Sequence, residues 1–301
     1  MAANDGCSPA CTCEHSPCSF TIHPGADLAG AVHGAQQATR LQLQSGTFSM
    51  AGRQALLHFN ASGVTLRGNC NRGNSSDYGE ATRFDTERSS MEIIVGAGVK
   101  GVLIECLDFH GGWTLRAQEG GEISIKQVQG DFIRVYAGRN SQVQFYEVSL
   151  EPQIMDVSCM WTELQPGSKI YGEELQLKGL FERVRLAVSE ASSNASLALN
   201  RSLVSCMTDT TKWAGRNVLL LGKDMSFLFE ETKVLAGVSV VGADEGTGGI
   251  SMSATRSTLM MRQCTISFHL HYYTGSAVQV RCLPALSPSP SLTSSFPSKV
   301  R

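Results

Sequence analysis

The 301-residue sequence lacks any apolar run long enough to cross a bilayer, stretches such as that within Asn217–Gly222 being far short of the ~20 residues required. Met1 to Cys18 is Ala, Ser, Pro and Cys without the apolar core of an export signal, so a cytoplasmic or nuclear address is expected, or an extracellular one if the amino terminus is incomplete. Charge of one sign is also missing. Lys plus Arg number 25 against 27 Asp plus Glu, a net charge of -2, which gives no field to concentrate nucleic acid or an anionic membrane. Neither partner is expected. A phosphate-binding loop is absent, because Gly246-Thr247-Gly248-Gly249 has no following Lys, and no Ser-His-Asp signature stands out. Nothing in the sequence specifies an oligomeric state.

Cysteine, by contrast, is plentiful at ten. Without an export signal these are expected as reduced thiols, with Cys106, Cys159, Cys206 and Cys264 acting as small buried hydrophobes. Cys7, Cys11, Cys13 and Cys18 crowd the first segment beside His15 and His23. Thiolate and imidazole suit zinc, although the spacing is not that of a paired C-x2-C knuckle. Residues 1–19 are therefore expected as a Cys-rich flexible leader that offers a candidate zinc site. Residues 283–301, rich in Ser and Pro with few apolar anchors, are expected to be a disordered tail.

With 42% apolar residues the remainder can bury a large core, and a repeat organises it. Segments starting at Val102, Ile123, Val143, Ile170, Leu197, Phe227 and Leu259 carry apolar residues at most of positions one, three, six and eight, 24 of 28 in all. Positions four, five and seven are apolar in only 3 of 21 and mostly carry charge and amide, where an amphipathic helix would need apolar residues at i+3 and i+4. Apolar pairs two apart, separated by two polar residues, describe two short strands joined by a corner. Stacked units of this kind make a solenoid, and seven coils at ~4.8 Å predict a rod of roughly 34 Å. Its open end needs a cap. Asp27 can N-cap a helix with Leu28, Ala31, Val32 and Ala35 on one face, predicted to plug that end.

Leu28-Ala29-Gly30-Ala31-Val32, then Arg40 to Phe48 with its Gly46-Thr47-Phe48 turn, then Val64-Thr65-Leu66-Arg67-Gly68 and the repeated coils resemble the pectin-lyase-like superfamily. The resemblance spans 20–282 and implies an all-β, right-handed parallel β-helix with a short amino-terminal capping helix. That superfamily includes lyases, hydrolases, epimerases, tailspikes and recognition modules, so the fold alone assigns no activity. Its hydrolase motifs are not met: there is no Asp-Asp pair, and Phe109-His110-Gly111-Gly112 only approaches a Gly-His-Gly. Its calcium-dependent lyases imply stacked carboxylates beside an Arg base, for which Asp108, Asp131 and Asp156 with Arg116 and Arg134 are the nearest residues.

Two functional expectations follow, beside a third in which the chain is a purely structural segment. The leading one is a non-catalytic module that binds a glycan or a protein through a lateral face, or through long loops near 205–217 and 236–250. The alternative is a carbohydrate-active enzyme, a polyuronide lyase, hydrolase or epimerase, with Asp108, His110, Asp131 and Arg134 as catalytic candidates. Three further features bear on both. Glu105, Glu147, Glu173, Glu174, Glu230 and Glu231, interrupted by Lys126, Arg201 and Arg262, form a corner column able to attract calcium or a basic ligand, or simply to face water. Trp113, Trp161, Trp213, Tyr136, Tyr146 and Tyr171 are available for sugar stacking or for packing. Asn60, Asn74, Asn194 and Asn200 each head an N-x-Ser sequon, expected as chance matches in a chain without an export signal.

Overall fold

The computed structural model describes residues 18–70, 81–86, 91–152, 158–179, 185–206, 218–235, 250–266, 271–272 and 279–283. All strand pairs within it are parallel and connect successive turns of the chain. It is a right-handed parallel β-helix.

The expected columns pair in the expected register. Val102, Ile123, Val143, Ile170, Leu197, Phe227 and Leu259 lie side by side along an 11-stranded sheet, which we call face one. That sheet also takes in Ser19–Ile22, Arg40–Leu43 and Thr65–Arg67 before the repeat and Gln279–Leu283 after it. Eleven strands at ~4.8 Å make, on the same count, a rod of roughly 53 Å rather than the roughly 34 Å of seven coils.

Each coil has three faces, one more than the apolar pairs predicted. The second and third faces form a 16-stranded sheet because two long strands, Asp108–Ala117 and Gln129–Ala137, run through both. Before and after these, shorter strands divide. Face two holds Ser149–Leu150, Gln176–Gly179 and Leu203–Cys206; face three holds Met160–Leu164, Leu186–Val188 and Val218–Lys223. Inward residues of face three, such as Leu115, Val135 and Leu220, alternate with outward ones in a period of two. Faces two and three are separated by connections whose length changes from coil to coil, which hides this periodicity from a fixed register.

The interior is a column of aliphatic and aromatic ladders. Phe48, Phe84 and Phe109 meet edge to face through successive coils with ring centroids 5.8 and 5.2 Å apart, and Trp113 lies flat on Phe109 at 4.3 Å. Four inward positions break the apolar pattern, and local contacts account for each. A Cβ on Gly172 would come within 2.9 Å of Leu199, and one on Gly130 within 3.2 Å of Phe109. Ser202 and Thr232 turn their hydroxyls back to the carbonyls of Asn200 and Glu230, satisfying polar atoms that are otherwise buried.

The corner between faces one and two is equally regular. Gln127, Glu147, Glu174, Arg201, Glu231 and Gln263 all adopt φ between 46 and 55°. Left-handed backbone costs a side-chain-bearing residue roughly 1 kcal/mol or more. The return comes from the next coil: the N–H of Gln127 donates to the Tyr146 carbonyl, that of Glu147 to Glu173, and that of Glu174 to Asn200.

The helix Leu28–His33 forms as expected, with the Asp27 carboxylate accepting from the Gly30 N–H at 2.9 Å and Leu28 and Val32 buried. It packs on Leu56–Phe59 and Gly52–Ala55, so it covers the first coils at face three, while face one continues past it to Ser19–Ile22. Cys106 differs from expectation. It forms a disulfide with Cys70, their Cα atoms 4.7 Å apart, because its left-handed corner turns the side chain toward the preceding coil. Phe145→Ala, which empties a fully buried rung, is expected to cost about 3–5 kcal/mol, read as a lower urea midpoint in equilibrium unfolding.

Candidate functional site

Asp108 begins face two, whereas His110 and Asp131 lie where the chain bends from face two to face three, and the carboxylates of Asp108 and Asp131 are engaged in structure. Asp108 accepts from Arg83 Nε at 3.2 Å. Asp131 Oδ2 accepts from the Gly111 N–H at 2.9 Å, clamping a glycine at φ 100° across the bulge between Gly130 and Phe132. His110 is exposed, and its carbonyl accepts from both the N–H and the hydroxyl of Thr86. Arg134 lies apart on face three, exposed between Thr114 and Trp161 in the ladder. Asp156 lies outside the described residues.

The acidic corner column resolves into two neighbouring columns with the basic residues interleaved. Arg67 reaches Glu105 at 3.5 Å, Arg201 pairs with Glu173 and lies 3.4 Å from Glu174, and Arg262 is 3.7 Å from Glu230. These carboxylates therefore meet guanidinium groups on adjoining coils instead of repelling one another. Among the described residues no group of three or more His, Cys, Asp or Glu is placed to hold a metal. Cys18 is disulfide-bonded and so has no thiolate to give to zinc, while Cys7, Cys11 and Cys13 lie outside the described residues.

The aromatic residues divide by face. Trp113 is buried, Tyr146 and Tyr171 point out from face one, and Tyr136 and Trp161 point out from face three; Trp213 lies outside the described residues. On face one a groove of about 450 Å³ runs past Lys126, Gln144, Tyr146, Glu173 and Arg201. Its polar groups bond mainly to one another, since Ser124 and Tyr146 both donate to Gln144 Oε1 and Tyr171 donates to Glu173. Partial burial, with Tyr171 and Glu173 close by, raises the Tyr146 phenol above its usual range.

Face three carries the larger depression, about 570 Å³, lined by Arg116, Gln118, Glu119, Tyr136, Arg139 and Glu163 among others. Alternation on Gln129–Ala137 and Met160–Leu164 sends Arg134, Tyr136, Trp161 and Glu163 outward while Ile133, Val135, Met160 and Leu164 fill the core. The Tyr136 and Trp161 rings meet edge to face at 5.3 Å. Arg116 pairs with Glu92 and sets its guanidinium 4.0 Å from the Tyr136 ring centre, a cation–π contact that fixes the tyrosine. Arg134 and Arg139 are exposed and make no ion pair among the described residues. Of this cluster, sequence reasoning singled out the aromatics and two arginines but missed their convergence. It missed Arg139 and Glu163 altogether, because both depend on recognising the third face.

No family model and no curated protein matches the sequence. Solved structures with some likeness of backbone include the following two. One is described as a mannuronic acid specific polysaccharide family 6 lyase from human gut microbiota: identity 12%, TM-score 0.45, covering 84% of this chain and 67% of that one. The other is a PL6 alginate lyase in complex with a trisaccharide: identity 10%, TM-score 0.37, covering 83% of this chain and 60% of that one. The likeness is one of fold.

Cys159 is a buried thiol close to the buried guanidinium of Arg185, which donates to the Gly179 carbonyl at 3.1 Å. Burial pushes the thiol up to about 12 despite the pull of Arg185. The folded protein thus keeps a proton that the unfolded chain releases near pH ~8.5–9. Stability is expected to fall as pH rises from about 9 to 12, and Cys159→Ala to remove that component from a pH series of unfolding midpoints.

Proposed function

We propose that the protein binds an acidic polysaccharide along face three. Pyranose rings stack on Tyr136 and Trp161, and Arg134 and Arg139 receive the carboxylates of the sugar chain. The paired rings, with two uncommitted guanidinium groups on the same coils, carry this proposal. Aromatic faces suit the apolar side of a pyranose, and a planar guanidinium matches a carboxylate through two parallel hydrogen bonds. Glu163 and Glu119 supply acceptors for sugar hydroxyls at the same depression. Successive coils repeat at ~4.8 Å, so a chain lying along the rod meets equivalent positions in turn. The long loops near 205–217 and 236–250 fall mostly outside the described residues and form no part of this proposal.

Lytic action on a polyuronide is the second reading, and lyase is also the activity named for both solved neighbours. It rests on Arg134. The guanidinium neighbours Trp161 in the ladder and would lie beside the carboxylate of a stacked uronate, whose charge must be neutralised before the adjacent carbon can lose a proton.

Titration calorimetry with a polyuronate and with neutral dextran tests the proposal. Trp161→Ala and Arg139→Ala are each expected to weaken polyuronate binding about tenfold, near 1.4 kcal/mol, with affinity falling as salt is raised. Equal binding by both variants and the parent protein would refute it. Unsaturated product appearing in the same mixture, and lost in Arg134→Ala, would establish the lytic reading.

A further inference from the structure

We propose that Asn60 and Asn194 carry N-linked glycans and that the chain matures in an oxidising compartment. The inference begins with the cysteines. Cys70–Cys106 is a disulfide joining adjacent coils, and Cys18 is disulfide-bonded as well, a state that reducing compartments do not sustain in ordinary proteins. In such a compartment an N-x-Ser sequon is a substrate rather than a coincidence of composition.

Three of the four sequons fall on described residues, and their surroundings separate them. Asn60 follows Leu56–Phe59 and begins the turn Asn60-Ala61-Ser62-Gly63; it is exposed. Its Nδ2 contacts His33 Nδ1 at 3.0 Å, which uses one of the two amide hydrogens and leaves the other for substitution. Asn194 is exposed on a left-handed corner at φ 45°, and the partner serine, Ser196, is half-buried on face one. Asn200 is different. It sits inside Ser196–Asn200 between Glu173 and Glu230 in the ladder, and its sequon serine, Ser202, is buried with its hydroxyl bonded to the Asn200 carbonyl. Asn74 lies outside the described residues.

Asn60 and Asn194 share one corner of the rod. The main-chain hydrogen bonds Gly96 to Phe59, Gln118 to Val95, Gly138 to Ala117, Gln165 to Ala137 and Ser193 to Leu164 trace that corner coil by coil. The glycans would therefore stand on either side of the face-three depression and limit its length along the axis. Modification forms the bond from Nδ2 to sugar C1 as the C1–O bond of a lipid-linked oligosaccharyl diphosphate breaks. The amide gives up one proton and the lipid diphosphate leaves.

The protein isolated from its native source tests this directly. After peptide N-glycosidase treatment in 18O water, the Asn60 and Asn194 peptides are expected to appear as 18O-labelled aspartate. Alkylation without prior reduction should leave Cys70 and Cys106 unlabelled. Unmodified asparagine at both positions, or both cysteines alkylated without reduction, would overturn the proposal. In the full chain secreted from a eukaryotic cell, Asn194→Gln and Ser196→Ala should each remove one glycan of mass. Failure of both to do so would contradict the assignment of Asn194.

Discussion

Coil-to-coil registry is the constraint from which the other features follow. Each strand bonds to the strand one coil before and one coil after it, so every side chain lies in a ladder of equivalents at ~4.8 Å. Registry sorts residues by address. An inward column must be apolar or must bond to its own backbone, as Ser202 and Thr232 do. An outward column is free to collect chemistry, and on face three it collects rings and guanidinium groups.

The same registry explains why left-handed corners are tolerated without glycine. A single bent residue would be strained, but here the N–H groups from Gln127 to Glu231 point at carbonyls of the next coil, so stacking offsets the local cost. It also explains the charge pattern at that corner. Glutamates in neighbouring columns would repel along the rod, and Arg67, Arg201 and Arg262 are set among them one coil away.

Face one was legible in the sequence because its strands in the repeat are four or five residues long and turn at a constant corner. Counting from Val102 places Ile123, Val143 and Ile170 in a shared column, and the pairing reproduces it. Face three was not, because connections of varying length separate it from face two and break any fixed count. Missing it shortened the expected coil and scattered the site. Arg116, Tyr136 and Glu163 are 20 and 27 residues apart in sequence, yet occupy one column on successive coils. The carboxylate candidates suffered the reverse error. Asp108 and Asp131 look available in sequence, but a salt bridge to Arg83 and a backbone clamp on Gly111 engage them. The disulfide escaped notice because Cys70 and Cys106 are 36 residues apart and only the stacking of coils brings them together.

Opposite placement of two tryptophans makes the central claim open to a single spectrum. In 5-fluorotryptophan-labelled protein, 19F resonances assigned with Trp113→Phe and Trp161→Phe should respond differently to polyuronate and to a soluble paramagnetic quencher. Trp161 is expected to shift with the glycan and broaden with the quencher, and Trp113 to do neither. A Trp161 signal indifferent to the glycan, or a Trp113 signal broadened in the folded protein, would contradict it.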